Sequence, residues 1–350
     1  MATGDSTMRA LVKTEPEPGM TLQDVPRPDP GPGEVRVRVR SVGIDGGVEQ
    51  LIYDWHHSKH HYADDLPQIF GHEFAGVVDA TGPDVSAVAE GDRVAVEPAI
   101  VCGECRNCRA GKRSLCESPD RRAVGLDTDH DGALAEYTIV PEETCYVFPD
   151  ALSFDVGTFL ELVGLGVHAV EQSSLRPGDR VAIAGPGSAG LGTLIAARAA
   201  GASPTVVVGT EADAGTRLPV AEQLGADRTL LADDVERDTY ADVDVFFECS
   251  GSPAALENGL RNVRAGGEVV QVGVFHGERR VEVDLNRAVT NGIHLKTVFG
   301  RSDSGWHRAI AIAQDIDTSP AVGPAFEFED YEAAFDAMRA REGVKVTLHP

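Results

Sequence analysis

The sequence predicts an α/β protein in two parts, a mostly antiparallel β-barrel domain and a doubly wound parallel sheet. Three observations carry that expectation. The chain has 350 residues, more than one core comfortably holds. The style of its apolar pattern changes near residue 155. A glycine-rich turn between an apolar strand and an alanine-rich helix opens the second half.

In the first half, short β-type runs at Arg9–Lys13, Glu34–Arg40, Phe74–Ala80 and Arg93–Glu97 lie between Pro/Gly turns. Val35 to Arg40 alternates valine with arginine, the period-two pattern of a half-exposed strand. In the second half, strands alternate with helices: Arg180–Ala184, a helix over Ser188–Ala200, Thr205–Val208, a helix over Arg217–Leu224, then Val243–Glu248. That alternation implies βαβ units and a parallel sheet. Glu268–Val274 and His294–Phe299 supply further strands, and the amphipathic run Tyr331–Ala340 returns to the first domain. The expected division is 1–158 for the barrel-like domain, 159–290 for the parallel sheet, and 291–350 for the returning segment.

The formal net charge of −25 disfavours nucleic acid and anionic membranes as partners. Only five of the 31 basic residues are lysines (Lys13, Lys59, Lys112, Lys296, Lys345), the composition of a halophile's surface. No run reaches the roughly 18 apolar residues of a membrane helix. The first residues lack a basic start followed by an apolar stretch, so a cytoplasmic location is expected.

Cys102, Cys105, Cys108 and Cys116 form C-x2-C-x2-C-x7-C in a polar, turn-rich stretch. Four thiolates at that spacing close a tetrahedron around a structural zinc. Two disulfides fit a reducing compartment poorly, and bacterial iron–sulfur runs place the fourth cysteine sooner. Cys145 and Cys249 lie outside the motif and read as buried thiols.

Gly185-Pro186-Gly187-Ser188-Ala189-Gly190 fits G-x-G-x-x-G between strand and helix, the context that makes the motif a dinucleotide site on a Rossmann sheet. Gly185 allows the tight turn, Gly187 the approach of backbone to pyrophosphate, and Gly190 the packing of helix on strand. Glu211, roughly 20 residues on, is placed to bind the adenosine ribose and favours NAD. Arg217, with Thr210, leaves room for the 2′-phosphate of NADP.

His72 stands in Gly71-His72-Glu73 before an apolar strand, and Glu161 sits in the apolar run Phe-Leu-Glu-Leu-Val-Gly. A carboxylate there is costly unless paired or bound to metal. His72, Glu161 and one further donor make an open three-ligand zinc site; the alternative for His72 is a satisfied structural histidine.

Gly71-His72-Glu73, the cysteine lobe, Gly-Pro-Gly-Ser-Ala-Gly-Leu-Gly, Phe247-Glu248-Cys249-Ser250-Gly251 and Ala265-Gly266-Gly267 occur in order. Along nearly its whole length the chain thereby resembles the zinc-containing medium-chain alcohol dehydrogenases, in particular the threonine, sorbitol and archaeal glucose enzymes. The resemblance implies a GroES-like barrel as the catalytic domain and a Rossmann domain. It also implies two zinc ions, one structural and one catalytic, with His72 and Glu161 as catalytic ligands and Glu73 in reserve.

Where the family has Cys-Gly-Thr/Ser-Asp, this chain has Asp45-Gly46-Gly47-Val48. Asp45 is the positional replacement for the ligating cysteine, and oxygen ligation of zinc is chemically normal. Gly47 stands where the family carries the hydroxyl that passes the substrate's proton outward, and Gln50 falls near the threonine enzyme's histidine. Proton loss must then use Glu49, Glu73, solvent at the metal, or the histidines His56, His57, His60 and His61.

The activity implied is hydride transfer from a polar secondary alcohol, polyol, threonine-like amino alcohol or aldose to NAD or NADP, by a homo-oligomer, dimer or tetramer. The small-molecule alcohol or sugar is the one partner expected beyond the chain's own copies. Two alternatives stand beside it: a zinc-free reductase of the same superfamily, and a non-enzymatic NAD-binding protein.

Overall fold

The computed structural model describes residues 7–55, 66–127, 130–235, 239, 242–275 and 280–350. Two compact units emerge, one running to Glu161 and resuming at Val322, the other spanning Leu162–Ala321.

The first unit is built on β1 (Thr7–Lys13), β2 (Thr21–Pro26) and β3 (Glu34–Ile44). The short helix α1 (Glu49–Tyr53) follows, then β4 (Gln68–Ile69), β5 (Phe74–Thr81) and β6 (Arg93–Val96). Next come the hairpin strands β7 (Ala99–Ile100) and β8 (Arg122–Ala123) around α2 (Arg106–Arg109), and then β9 (Tyr137–Pro141) and β10 (Cys145–Val147).

Strand β3 pairs antiparallel with β5 and β9, and β6 bridges β5 to β10. Its alternation is as the sequence suggested: Val35, Val37 and Val39 are buried, while Arg38 and Arg40 face outward. Arg36 is tucked between Asp29 and Asp79. Lys13 closes one edge of this unit. It is fully buried, and its Nζ donates to the carbonyls of Glu17 (2.5 Å), Gly19 (2.9 Å) and Tyr53 (3.2 Å).

Helix α3 (Phe154–Gln172) carries the chain out of the first unit. The second unit then runs β11 (Val181–Ala184), α4 (Ser188–Ala199), β12 (Thr205–Gly209), α5 (Arg217–Gln223), β13 (Arg228–Leu231) and β14 (Val245–Glu248). It continues through α6 (Pro253–Asn262), β15 (Glu268–Gln271), α7 (Leu285–Thr290), β16 (His294–Thr297) and α8 (Asp303–Asp315).

All its strands are parallel, in the order β13-β12-β11-β14-β15-β16. This is the 3-2-1-4-5-6 order of a dinucleotide-binding sheet, whose direction of winding reverses between β11 and β14.

The chain re-enters the first unit as β17 (Val322–Glu327), α9 (Tyr331–Arg339) and β18 (Lys345–His349). Two boundaries differ from the expected 158/159 and 291. The first falls at Glu161/Leu162, within α3, and the return falls at Val322, because β16 and α8 still belong to the parallel-sheet unit. Strand β18 runs antiparallel to β3 with Val346 opposite Ile44.

Candidate active site and zinc lobe

Five elements of the first unit converge on one buried cluster. The turn after β3 supplies Asp45, and α1 supplies Glu49. The segment leading into β5 supplies His72 and Glu73, α3 supplies Glu161, and β18 supplies Lys345. Glu49, His72, Glu73, Glu161 and Lys345 are all buried.

The imidazole of His72 is fixed from one side: its Nδ1 lies 2.5 Å from Glu49 Oε1, and its backbone N–H also points to that oxygen at 3.3 Å. A carboxylate on Nδ1 selects the tautomer that leaves Nε2 free of hydrogen, the form in which histidine ligates metal. Nε2 faces Glu73 Oε1 at 3.9 Å. Glu49, His72 and Glu73 together offer ligand atoms within 4.8 Å of one another.

The other acids have distinct roles. Asp45 Oδ1 accepts from the backbone N–H groups of Gly47 (3.0 Å) and Val48 (2.6 Å), which pins the turn. Glu73 Oε2 accepts from Lys345 Nζ in a fully buried ion pair. Lys345 reaches it past Gly43, where a Cβ would sit 2.8 Å from the lysine Cδ, so only glycine leaves the passage open.

Electrostatics tie the cluster together. Burial and the nearby Glu49 push the Asp45 carboxyl up. Burial opposes the charge on Glu49, but His72, a hydrogen bond with Asp45, and Lys345 outweigh it and hold that carboxyl down to about 2. His72 is likewise disfavoured as a cation by burial, yet Glu49, Asp45 and Glu161 raise it. Burial lowers Lys345 against the pull of Asp45 and Glu49.

Four carboxylates, three of them buried and Asp45 half-buried, thus face one ammonium and one imidazole. Buried charge of that excess calls for a bound cation or for protons. An oxygen-rich donor set with one imidazole suits zinc. Of the expected residues, His72 and Glu73 come to ligand spacing together with Glu49, whereas Asp45 and Glu161 lie outside that set and act on His72 through their charge. The structure adds Glu49 as the residue that orients His72 and Lys345 as the counter-charge of Glu73. His56, His57, His60 and His61 lie outside the described residues.

The cysteine lobe is a second centre. Cys102, Cys105, Cys108 and Cys116 place their sulfurs within 4.8 Å of one another. Cys102 Sγ lies 3.6 Å from Cys116 Sγ and 4.0 Å from Cys108 Sγ, and all four are free thiols. Backbone N–H groups of Cys105 and Cys108 point at the sulfurs of Cys102 and Cys105. Four converging thiols with N–H donors turned toward two of them fit a closed structural zinc and leave no position for substrate.

In the second unit, Gly185 follows β11 at φ +97° and Gly187 caps α4. A Cβ on Gly187 would meet nothing within 4 Å, whereas one on Gly190 would lie 1.8 Å from the carbonyl oxygen of Gly185. The first glycine keeps space open above the helix N-terminus, and the second permits close packing beneath it. Ser250, after β14, packs against Gly185 across the reversal point. Its turn is held by Glu248, a buried carboxylate accepting from Ser250 N (2.8 Å), Gly251 N (3.1 Å) and Gln271 Nε2 (2.6 Å).

At the end of β12, Glu211 is exposed. Asp213, unremarked in the sequence, is buried, accepts from Thr210 N (2.9 Å) and Oγ1 (2.7 Å), and stands 3.8 Å from Arg217. Thr210 and Arg217 are therefore engaged with an acid of their own loop, and Glu211 is the acid left at the surface.

Residues 31–150 match the alcohol dehydrogenase GroES-like domain and residues 189–315 the zinc-binding dehydrogenase domain. The chain is 31% identical to an L-threonine 3-dehydrogenase of Pectobacterium carotovorum over 98% of this chain and 99% of the relative. A protein of Sinorhizobium meliloti 1021 described as a zinc-binding dehydrogenase and bound to NADP superposes with a TM-score of 0.88 at 28% identity, covering 99% of this chain and 100% of the other. The cobalt- and zinc-bound thermostable alcohol dehydrogenase of Pyrobaculum aerophilum gives 0.84 at 27% identity, covering 98% and 100%. The two matched segments together span more than half of the chain, and a relative of 31% identity aligns with nearly all of it, so the chain belongs to the zinc-binding medium-chain alcohol dehydrogenase family.

Proposed function

We propose that this chain oxidises a polar secondary alcohol to the ketone, with a threonine-like amino alcohol as the leading substrate and polyols or aldoses as the wider class. The observation that carries the reading is the His72 imidazole, oriented by Glu49 inside a buried ring of carboxylates, in a chain that aligns end to end with L-threonine 3-dehydrogenases.

Asp45, His72 and Glu161 would hold the catalytic zinc. When bound, zinc supplies Lewis acidity to the substrate hydroxyl, and the nicotinamide accepts the hydride. Glu49 keeps the Nδ1 proton of His72 in place. Lys345 neutralises Glu73 and keeps it from competing for the metal. Gly47 carries no hydroxyl, so the substrate's proton leaves by way of the carboxylates of this shell or by solvent.

The exposed Glu211 favours NAD, binding the ribose where a 2′-phosphate would be repelled. Leu285, Val289 and Leu295 are 69%, 79% and 47% exposed around the edge strand β16, a surface suited to a second copy of the chain in a homodimer or tetramer. No helix among the described residues is long and apolar enough to cross a membrane. A cytoplasmic setting at high salt accords with the charge and lysine content.

The test is a panel of L-threonine, polyols and aldoses with NAD or NADP, at high salt and with zinc added. Reduction of NAD by one of them, lost in His72→Ala, supports the reading. No turnover across the panel despite tight NAD binding overturns it. A chain that turns over with a single chelation-resistant zinc is instead the type of reductase that lacks a catalytic zinc, to which Asp45 and Gly47 would point.

A further inference from the structure

We infer that the barrel unit carries a second small-molecule site, an anion pocket on the outer face of β3. A cavity of about 720 Å³ is lined by Arg27, Arg38, Arg40, Tyr137, Asp155 and His349, among others. It is distinct from the His72 cluster, none of whose residues line it.

The case rests on how charge is distributed in this cavity. Acids outnumber bases 56 to 31 in the chain, so an arginine here has carboxylates in abundance. Arg9, Arg36, Arg93 and Arg339 of the same unit each take one or two. Arg27, Arg38 and Arg40 take none among the described residues.

The acids of the lining are spoken for. Glu136 accepts from Arg9 at 3.1 Å. Asp155 accepts from Ser41 at 2.6 Å and pairs with His349 at 2.7 Å. Glu327 lies 3.8 Å from the same histidine. Three guanidiniums are thus left over at one cavity.

They are also held in place. Arg38 and Arg40 sit two residues apart on β3 and so share its outer face. Arg38 stands in register with Tyr137 of β9. The Arg27 guanidinium lies 5.5 Å from the Tyr137 ring centroid, and that of Arg40 lies 5.7 Å from Phe154. The attraction between a cation and a ring face keeps Arg27 and Arg40 at the cavity without using up their N–H groups.

Planar forks without carboxylate partners recognise oxyanions in bidentate fashion. Three guanidiniums exceed the need of a single phosphate, so the ligand class is a small molecule with two or more anionic groups, phosphate or carboxylate.

Titration calorimetry on the full chain tests this, with pyrophosphate and citrate as probes and sodium chloride holding ionic strength constant. Saturable binding of either is expected, weakened at least about tenfold in the double variant Arg38→Gln/Arg40→Gln, one lost charge-assisted contact being enough for that factor. Binding of pyrophosphate alone would assign a phosphorylated ligand, and of citrate alone a polycarboxylate. NAD affinity and the melting temperature in chloride report that the variant is folded. Equal binding by the variant, or heats reproduced by chloride alone, would overturn the proposal.

Discussion

Glu49 Oε1 rests 2.5 Å from His72 Nδ1, so the residue that aims the imidazole comes from α1 while the imidazole comes from the segment before β5. An orienting partner of this kind typically changes metal affinity or activity by about 10–100-fold. Glu49→Ala should therefore lower kcat/KM and the affinity for the more labile zinc by about that factor, leaving the cysteine-bound zinc in place. Zinc analysis after mild chelation, paired with kinetics, checks it. Unchanged values for both would remove Glu49 from the site.

Asp45 is tested separately. In Asp45→Ala the N–H groups of Gly47 and Val48 lose their acceptor, and a proposed ligand disappears. Activity and zinc content should both fall. If neither moves, Asp45 only pins its turn.

The two loop glycines should behave in opposite ways. Gly187→Ala has open space for its Cβ and an ordinary φ of −79°, so the melting temperature should stay within about 1 °C while NAD binding weakens roughly tenfold or more. Gly190→Ala drives a methyl into the Gly185 carbonyl and should destabilise by about 1–3 kcal/mol. Thermal melts and NAD titration on the pair separate ligand approach from packing.

His349 and Asp155 should give stability a pH signature. The hydrogen bond with Asp155 raises His349, so its contribution is full below the ordinary histidine value near 6.5 and is lost as pH rises through the raised one. Burial works against the charge on Asp155, but hydrogen bonds from His349 and Ser41 hold it down, so its part is full above the ordinary value near 3.9 and is lost as pH falls through the lowered one. The gap in melting temperature between wild type and His349→Gln should be widest between about pH 4 and 6.5. For a pair about a third exposed the underlying difference in stability should amount to roughly 0.5–1 kcal/mol, and the gap should shrink by pH 9. A gap independent of pH would show that the contact is packing alone.

Removing Lys345 should cost far more. Lys345→Met strands Glu73 without its counter-charge in a fully buried position, a change worth about 3–5 kcal/mol. Lys345→Met combined with Glu73→Gln should recover much of that loss in a denaturation series. No recovery would mean that the two charges do not act as a pair.

What the sequence made legible was whatever is written within a few residues. The cysteine spacing and the glycine turn encode their geometry locally, and the structure assembles them as their spacing implied. The valine–arginine alternation of β3 is equally local. Helix α3 is not legible locally, because Phe-Leu-Glu-Leu-Val-Gly-Leu-Gly-Val is apolar but for one glutamate and shows no helical period. The return to the first unit is hard to place from the sequence because β16 resembles any short strand until its parallel pairing with β15 is seen. Glu49 and Lys345 owe their roles to partners 23 and 272 residues away, a relation no local pattern records. The role of Asp213 is not legible either, because ribose-binding spacing picks the first acid after the strand and cannot tell a surface acid from one that folds its own loop.

Among the described residues two ammonium groups are buried, and they bear on the arginine-rich composition of this chain. Lys13 serves three carbonyl oxygens and Lys345 a single carboxylate, each in space closed to water. A compact tetrahedral head can direct one proton at each of three oxygens, whereas a flat guanidinium is too wide for the same hole. Exchange of lysine for arginine, harmless over most of this surface, therefore meets a steric limit at these two positions. Engineering that exchanges lysine for arginine should stop short of both.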